Sequence, residues 1–216
     1  STYSGATVVN AGVLNAATAS SGMGSYTVAS GAGGMGVIVG SLNSQLNASS
    51  VTLPGTPTIF NFDLSNFGNP TLAPLNVTGT LTVGGTVTVN IADTLPQLGQ
   101  FPLIKYVSLT GSGSSFTIGS VPFGVVASIS NNVANNSIDL VVTGVNAPRW
   151  EGLGGGNWDI AVTTNWINLG DNLPTIFTDG SAVIFDDSAL GTTTVNLVAT
   201  VHPQSITINN TNLAYT

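Results

Sequence analysis

The chain has 216 residues, of which 5 % are charged, a formal net charge of −7, and no cysteine. Lys105 and Arg149 are its only basic residues, so no cationic track exists to displace counterions from nucleic acid or to hold an anionic membrane surface. Disulfides, thiolate metal sites and thiol catalysis are excluded, and no apolar run approaches the roughly 20 residues of a spanning helix.

Apolar residues instead alternate with Ser, Thr and Asn. Such a chain is solvated through neutral hydroxyls and amides, and it can pack against copies of itself with little charge repulsion. In chain order, Thr2 to Leu14 reads as a strand, a tight turn and a second strand, with Asn10 and Gly12 at positions suited to positive φ. Two glycine-rich patches follow (residues 20–25 and 31–36), and Val37, Ile38 and Val39 come after them. The 27 glycines, many at short intervals, interrupt most candidate helical periods. Thr58 to Leu64 alternates with Phe60, Phe62 and Leu64 on one face, the pattern of a half-buried strand.

Between Thr80 and Ile91 the apolar residues stay on odd positions across Gly84 and Gly85. A two-residue hairpin loop would set apolar against polar, so the register predicts a three-residue loop pairing Val83 with Val87, or one long kinked strand. Further strands are predicted over residues 101–107, 115–118, 125–129 and 137–142. Turns are expected at Ser130 to Asn132 and Ala134 to Asn136. Lys105 lies among apolar residues and reads as an edge-strand lysine that blocks unwanted pairing. The sharper alternative is an isopeptide with an Asn or Asp.

Composition changes at residues 144–148. From Arg149 to Asp187 come all three tryptophans, Trp150, Trp158 and Trp166, and six of the nine acids: Glu151, Asp159, Asp171, Asp179, Asp186 and Asp187. The tryptophans, with Asn157 and Asp159, can form a sugar-stacking platform or pack a core with each indole N–H satisfied. The packing reading is preferred, because glycine-rich turns flank Trp158. Asp179, Asp186 and Asp187, with Asp159 and Asp171, can gather around a hard cation such as Ca²⁺ or cap turns through their own backbone. Their spacing fits no EF-hand or glycine-aspartate repeat, which favours the turns. A carboxylate pair of glycosidase type is the remaining chemistry, and spacing alone does not place two acids across a cleft. Farther on, residues 194–201 alternate as a strand, His202 to Ser205 turn, and Ile206 to Ile208 return.

Two parts of the chain resemble a known family. Thr2-Tyr3-Ser4-Gly5-Ala6-Thr7-Val8-Val9-Asn10-Ala11-Gly12-Val13-Leu14 is similar to the Tyr-Ser-Gly-x-Thr-x-Val-x-Ala-Gly-x-Leu signature of autotransporter-associated β-strand repeats. The tryptophan-acid block, followed by Val195-Asn196-Leu197 and Ile206-Thr207-Ile208-Asn209-Asn210, resembles a segment recurring in large bacterial surface proteins of that group. The likeness covers residues 1–15 and 149–216 and is only compositional between them. It implies a secreted or surface-exposed passenger of β-helical or related character, adhesive or structural, with no catalytic residue to carry over. On that likeness the chain reads as one register of a tandem array.

The expectation is therefore an all-β protein of β-solenoid (β-helix-like) or β-sandwich modules with short strands and no significant helix. Residues 1–146 form a glycine/threonine-rich module and 147–216 a Trp/Asp-rich module that continues into a further repeat. The expected role is a non-enzymatic, extracellular or cell-surface repeat unit whose partners are identical copies. The alternative is a carbohydrate-binding module using the three tryptophans. No nucleic acid, no membrane insertion and no cofactor beyond a possible Ca²⁺ are expected.

Overall fold

A computed structural model describes residues 2–20, 22–31, 33–54, 58–92, 97–122, 124–145 and 147–216. Ser21 and Ala32, in the two glycine-rich patches, and Asn146, at the expected module boundary, lie outside the described residues. The fold is all-β, with no α-helix among the described residues and three short 3₁₀ turns. Contacts divide the chain into two compact units: Ser1–Pro122 with Ala127–Thr143, and Phe123–Val126 with Gly144–Thr216.

The strands up to the composition change are, in chain order, β1 (Thr7–Val9), β2 (Val13–Ala17), β3 (Ser25–Val28), β4 (Gly34–Ile38), β5 (Leu46–Ala48), β6 (Ser50–Leu53), β7 (Thr58–Asp63), β8 (Leu75–Val83), β9 (Val87–Ala92), β10 (Gly99–Gly111), β11 (Phe116–Ser120), β12 (Val125–Asn132) and β13 (Ser137–Val145). One sheet joins β1, β3, β6, β8 and β10 in parallel and ends in β13 and β12, with β5 also on β8. The other joins β2, β4, β7, β9 and β11, all in parallel. Parallel neighbours cannot be connected by a hairpin. Here the chain leaves one sheet, contributes a strand to the other, and returns one level on.

Register follows from that path. Asn76 Nδ2 donates to Asn47 Oδ1 at 2.8 Å, and Asn90 Nδ2 donates to Asn61 Oδ1 at 3.0 Å, each pair 29 residues apart. Amides stacked in this way satisfy one another along the ladder. The facing apolar residues form the first unit's core: Val51, Leu53 and Leu81 from one sheet, and Met35, Val37, Phe60, Phe62, Val87 and Val89 from the other, all essentially inaccessible. Each fully buried side chain of this size contributes about 1.5–3 kcal/mol of transfer free energy.

Several expected connections are corrected by this path. The predicted strands on either side of Gly12 exist as β1 and β2, but they enter different sheets, so Gly12 (φ +71°) turns a corner. Val83 and Val87 are likewise not partners, because β8 and β9 also lie in different sheets. The odd-position pattern was a true reading of the core face, since Leu81, Val83, Val87, Val89 and Ile91 are all buried. β10 pairs on both sides, with β8 and β13, so Lys105 is not on an edge. Ser130 to Asn132 continue β12 instead of turning, and the turn falls later, at Asn136 in the left-handed region.

The second unit contains β14 (Pro148–Trp150), β15 (Asn157–Trp158), β16 (Trp166–Asn168), β17 (Pro174–Thr175), β18 (Ala182–Asp186), β19 (Asn196–Leu197) and β20 (Ser205–Asn209). Five make a sheet in the order β17-β16-β14-β18-β20, and β15 pairs with β19. The long strand expected over residues 194–201 shrinks to the two residues of β19. Val195 and Val201 pack against the aromatic core while Leu197 is exposed, so alternation there does not mark a continuous ladder. β20 does not return on that segment but pairs in parallel with β18.

Candidate functional site

The tryptophan-acid block is built by β14, β16 and β18. Trp150 and Trp166 are register partners on antiparallel strands, so both rings leave the same face of the sheet. They meet edge-on with centroids 5.0 Å apart, and Trp158 meets Trp166 edge-on at 5.1 Å. Phe177, Val183 and Phe185 complete the cluster, and Tyr215 closes on Phe185 at 5.1 Å. Trp150 Nε1 donates to the Thr192 carbonyl at 2.7 Å, whereas Trp158 Nε1 is buried without a partner, so not every indole N–H is satisfied as expected. Exposure of Trp150, Trp158 and Trp166 is 0, 4 and 0 %. The platform alternative is thereby corrected: these rings are core, and none presents a face on which a sugar could stack. The alternative failed because composition identifies a cluster of tryptophans but not which side of the sheet is covered.

The acids are dispersed. Asp159 accepts from the Thr163 N–H and hydroxyl, both at 2.9 Å, and thereby holds the turn after Trp158. Asn157 is exposed at the start of β15, and its carbonyl accepts from Asn165 Nδ2 at 2.7 Å. Asp171 caps Leu173, and Asp179 accepts from the His202 N–H at 2.8 Å. Asp186 accepts from the N–H and hydroxyl of Ser188. Asp186 is the last of the five residues of β18, whose rise alone separates its ends by about 13 Å, and Asp179 lies in the turn before its first. Among the described residues, no group of three or more His, Cys, Asp or Glu side chains is placed to hold a metal ion. Asp179, Asp186 and Asp187 are thus not gathered into the Ca²⁺ site that their clustering in sequence allowed.

Asp187 has the densest set of bonds. It accepts from the N–H groups of Thr211, Asn212 and Leu213, each at 2.8 Å, and from the Thr211 hydroxyl at 2.7 Å. These bonds, led by that from Leu213, hold the carboxyl well below the usual carboxylate range. A depressed folded-state pKa contributes stability that is complete above the unfolded value of about 3.9 and is lost as pH falls through the folded one. Hydrogen exchange at the 211–213 amides, corrected for intrinsic rate, is therefore expected to be slow and flat from neutral pH to about 4 and to rise below it. Asp187→Ala should make these amides fast at every pH. Protection that persists in the variant, or that ignores acid in the parent, would contradict the capping role.

Arg149, the second unit's only cation, lies on the opposite face of β14 from Trp150. Its Nη2 is 3.8 Å from Glu151 Oε2 and its Nε is 4.0 Å from Asp186 Oδ1. Both are ion-pair separations beyond hydrogen-bond length. Glu151 is almost wholly buried, so the guanidinium serves to neutralise a carboxylate that could not otherwise be held there.

A second constellation, in the first unit, was not expected from the sequence. On the outer face of its larger sheet, Asn47, Asn76, Lys105 and Ser137 are successive register partners across β5, β8, β10 and β13. Two residues along β13, on the same face, is Asp139, only 3 % exposed. Its Oδ2 accepts from Gln100 Nε2 and Asn132 Nδ2, both at 2.8 Å, and its Oδ1 is buried without a hydrogen-bond partner. Lys105 Nζ donates to the Asn135 carbonyl. All of these groups but Asn47 line an open groove of about 650 Å³, walled by Gln45 and the Thr71–Ala73 segment that precedes β8. The spacing of Asn47 from Asn76, and of Asn61 from Asn90, was the available signal. It becomes meaningful only once the 29-residue stacking is known.

Compared with protein-family models, with curated proteins and with solved structures, the chain gives no significant match to any.

Proposed function

We propose that this chain is a structural repeat unit of an extracellular bacterial surface or filament protein, associating with identical copies through β-strand pairing. On this reading it serves an adhesion, biofilm or fibre scaffold and needs no catalytic residue. Its first unit is read as a β-solenoid, in which strand stacking supplies strength and alternating aliphatic residues supply register.

The observation that carries the reading is the state of the outermost strands. Among the described residues, β1 and β2 end their sheets, each paired on one side only, with Val8 55 % and Val13 41 % exposed. β20 ends the second unit's sheet with Ile206 and Ile208 51 % and 69 % exposed. Apolar strands with an open ladder edge are templates for another chain unless charge or proline blocks them, and neither stands in β1, β2 or β20. A contact between unlike edges is heterologous and propagates, which makes a fibre or tandem array instead of a closed dimer. The resemblance to autotransporter-associated repeats and the scarcity of charge point the same way.

Assembly is tested by sedimentation and electron microscopy over a concentration series. Growth of long particles is expected for the parent chain, and Val8→Lys should abolish it while leaving the far-ultraviolet circular dichroism unchanged. A parent that stays monomeric throughout, or a Val8→Lys variant that assembles as well as the parent, would defeat the proposal.

A further inference from the structure

The geometry points to the groove over β8, β10 and β13 as a binding site for a neutral saccharide, one or two sugar residues of a glycan chain. Its volume of about 650 Å³ lies within the range of small-molecule sites. Its polar lining is chiefly primary amides, each offering two N–H donors and a carbonyl acceptor. Asp139 takes one hydrogen from Gln100 and one from Asn132, which fixes both amides in place and leaves each a second N–H. Rigid donors and acceptors set side by side are what vicinal hydroxyls require.

Charge narrows the class. Lys105 and Asp139 are the charged residues lining the groove, one of each sign. A hard cation would meet the ammonium, and a phosphate or sulfate would meet the carboxylate. A hydroxyl group meets neither penalty, and it can accept from the second N–H of Gln100 or Asn132. Leu72, Ala73 and Pro102 add apolar surface suited to the C–H face of a pyranose. A ligand with both hydroxyl edges and C–H faces, and no net charge, is a sugar.

The test is a side-chain amide NMR titration of the intact chain, in the Val8→Lys background so that assembly plays no part. Neutral glucose-, N-acetylglucosamine-, galactose- and mannose-based disaccharides are the probes, with glucuronic acid and CaCl₂ alongside. At least one neutral disaccharide is expected to shift the Asn76, Gln100 and Asn132 amides at millimolar concentration and to leave Asn157 and Asn165 unmoved. Asp139→Asn should weaken that binding about tenfold or more, because a hydrogen-bonded charge is lost. Should that variant fail to fold, Leu72→Arg, at an exposed wall position, is expected to weaken binding comparably. No shift with any neutral disaccharide, shifts with glucuronic acid or CaCl₂ alone, or parent-like affinity in a folded variant would each overturn the assignment.

Discussion

Trp166→Ala is expected to cost the second unit about 4 kcal/mol, a large part of the stability of an ordinary domain. Trp166 is fully buried and faces four rings: Trp150 at 5.0 Å, Trp158 at 5.1 Å, Phe185 at 5.5 Å and Phe177 at 6.0 Å. Truncation forfeits the transfer free energy of the indole and opens a cavity among rigid groups that cannot collapse into it. Aromatic pair terms of about 0.5–1.5 kcal/mol each are lost as well, though not additively. Trp166→Phe keeps a ring in place and should cost roughly half as much. Urea unfolding followed by the fluorescence of Trp150 and Trp158, both in the same cluster, measures the loss directly. A shift below about 1 kcal/mol for the alanine variant would show that the rings are not the unit's core.

The second large effect is expected in the first unit, from the smallest possible change. Gly34→Ala should destabilise it by about 3 kcal/mol or more, because nothing nearby can move out of the way. Gly34 is a register partner of Val13 on one side and Ile59 on the other, and a Cβ there would lie 1.9 Å from the Ile59 carbonyl oxygen. That oxygen belongs to the backbone of the next stacked strand, so relief would mean parting β4 from β7. Gly12→Ala is the comparison: its φ is +71°, but a Cβ there meets nothing within 4 Å. It should cost only the left-handed penalty of about 1–2 kcal/mol. Thermal unfolding of the two variants beside the parent decides the matter. Equal losses would mean that close stacking at Gly34 is not what the glycine is for.

The contrast between these glycines shows where sequence reasoning reached and where it stopped. Alternation identified which side chains point inward: Phe60, Phe62, Leu64, Val87 and Val89 are all buried as their positions required. Alternation does not name a strand's partner. The pattern allows a tight turn at Gly12 and either a loop or a kinked strand at Gly84, whereas both glycines mark corners at which the chain changes sheet. A hairpin and a corner make the same local demand for a tight turn, and only the parallel ladder separates them. The tryptophans posed the same kind of difficulty, since buried and exposed clusters share one composition. For the groove the obstacle was distance along the chain. Asn76, Gln100, Asn132 and Asp139 come from four segments, and nothing local to any of them signals the others. The Asp residues at 159, 171 and 186 were the most legible, because each bonds within a few residues of itself.

The placement of the two cations has a consequence for proteolysis. A protease that cuts after basic residues has only Lys105 and Arg149 to use. Lys105 lies in a strand paired on both sides, and Arg149 in one paired on both sides, with its own side chain in ion pairs with Glu151 and Asp186. Cleavage requires the segment to open locally and enter the enzyme's cleft, so both bonds are shielded at the cost of opening a sheet. With so few basic residues, and those two inside ladders, the folded chain offers trypsin-like enzymes almost nothing to digest.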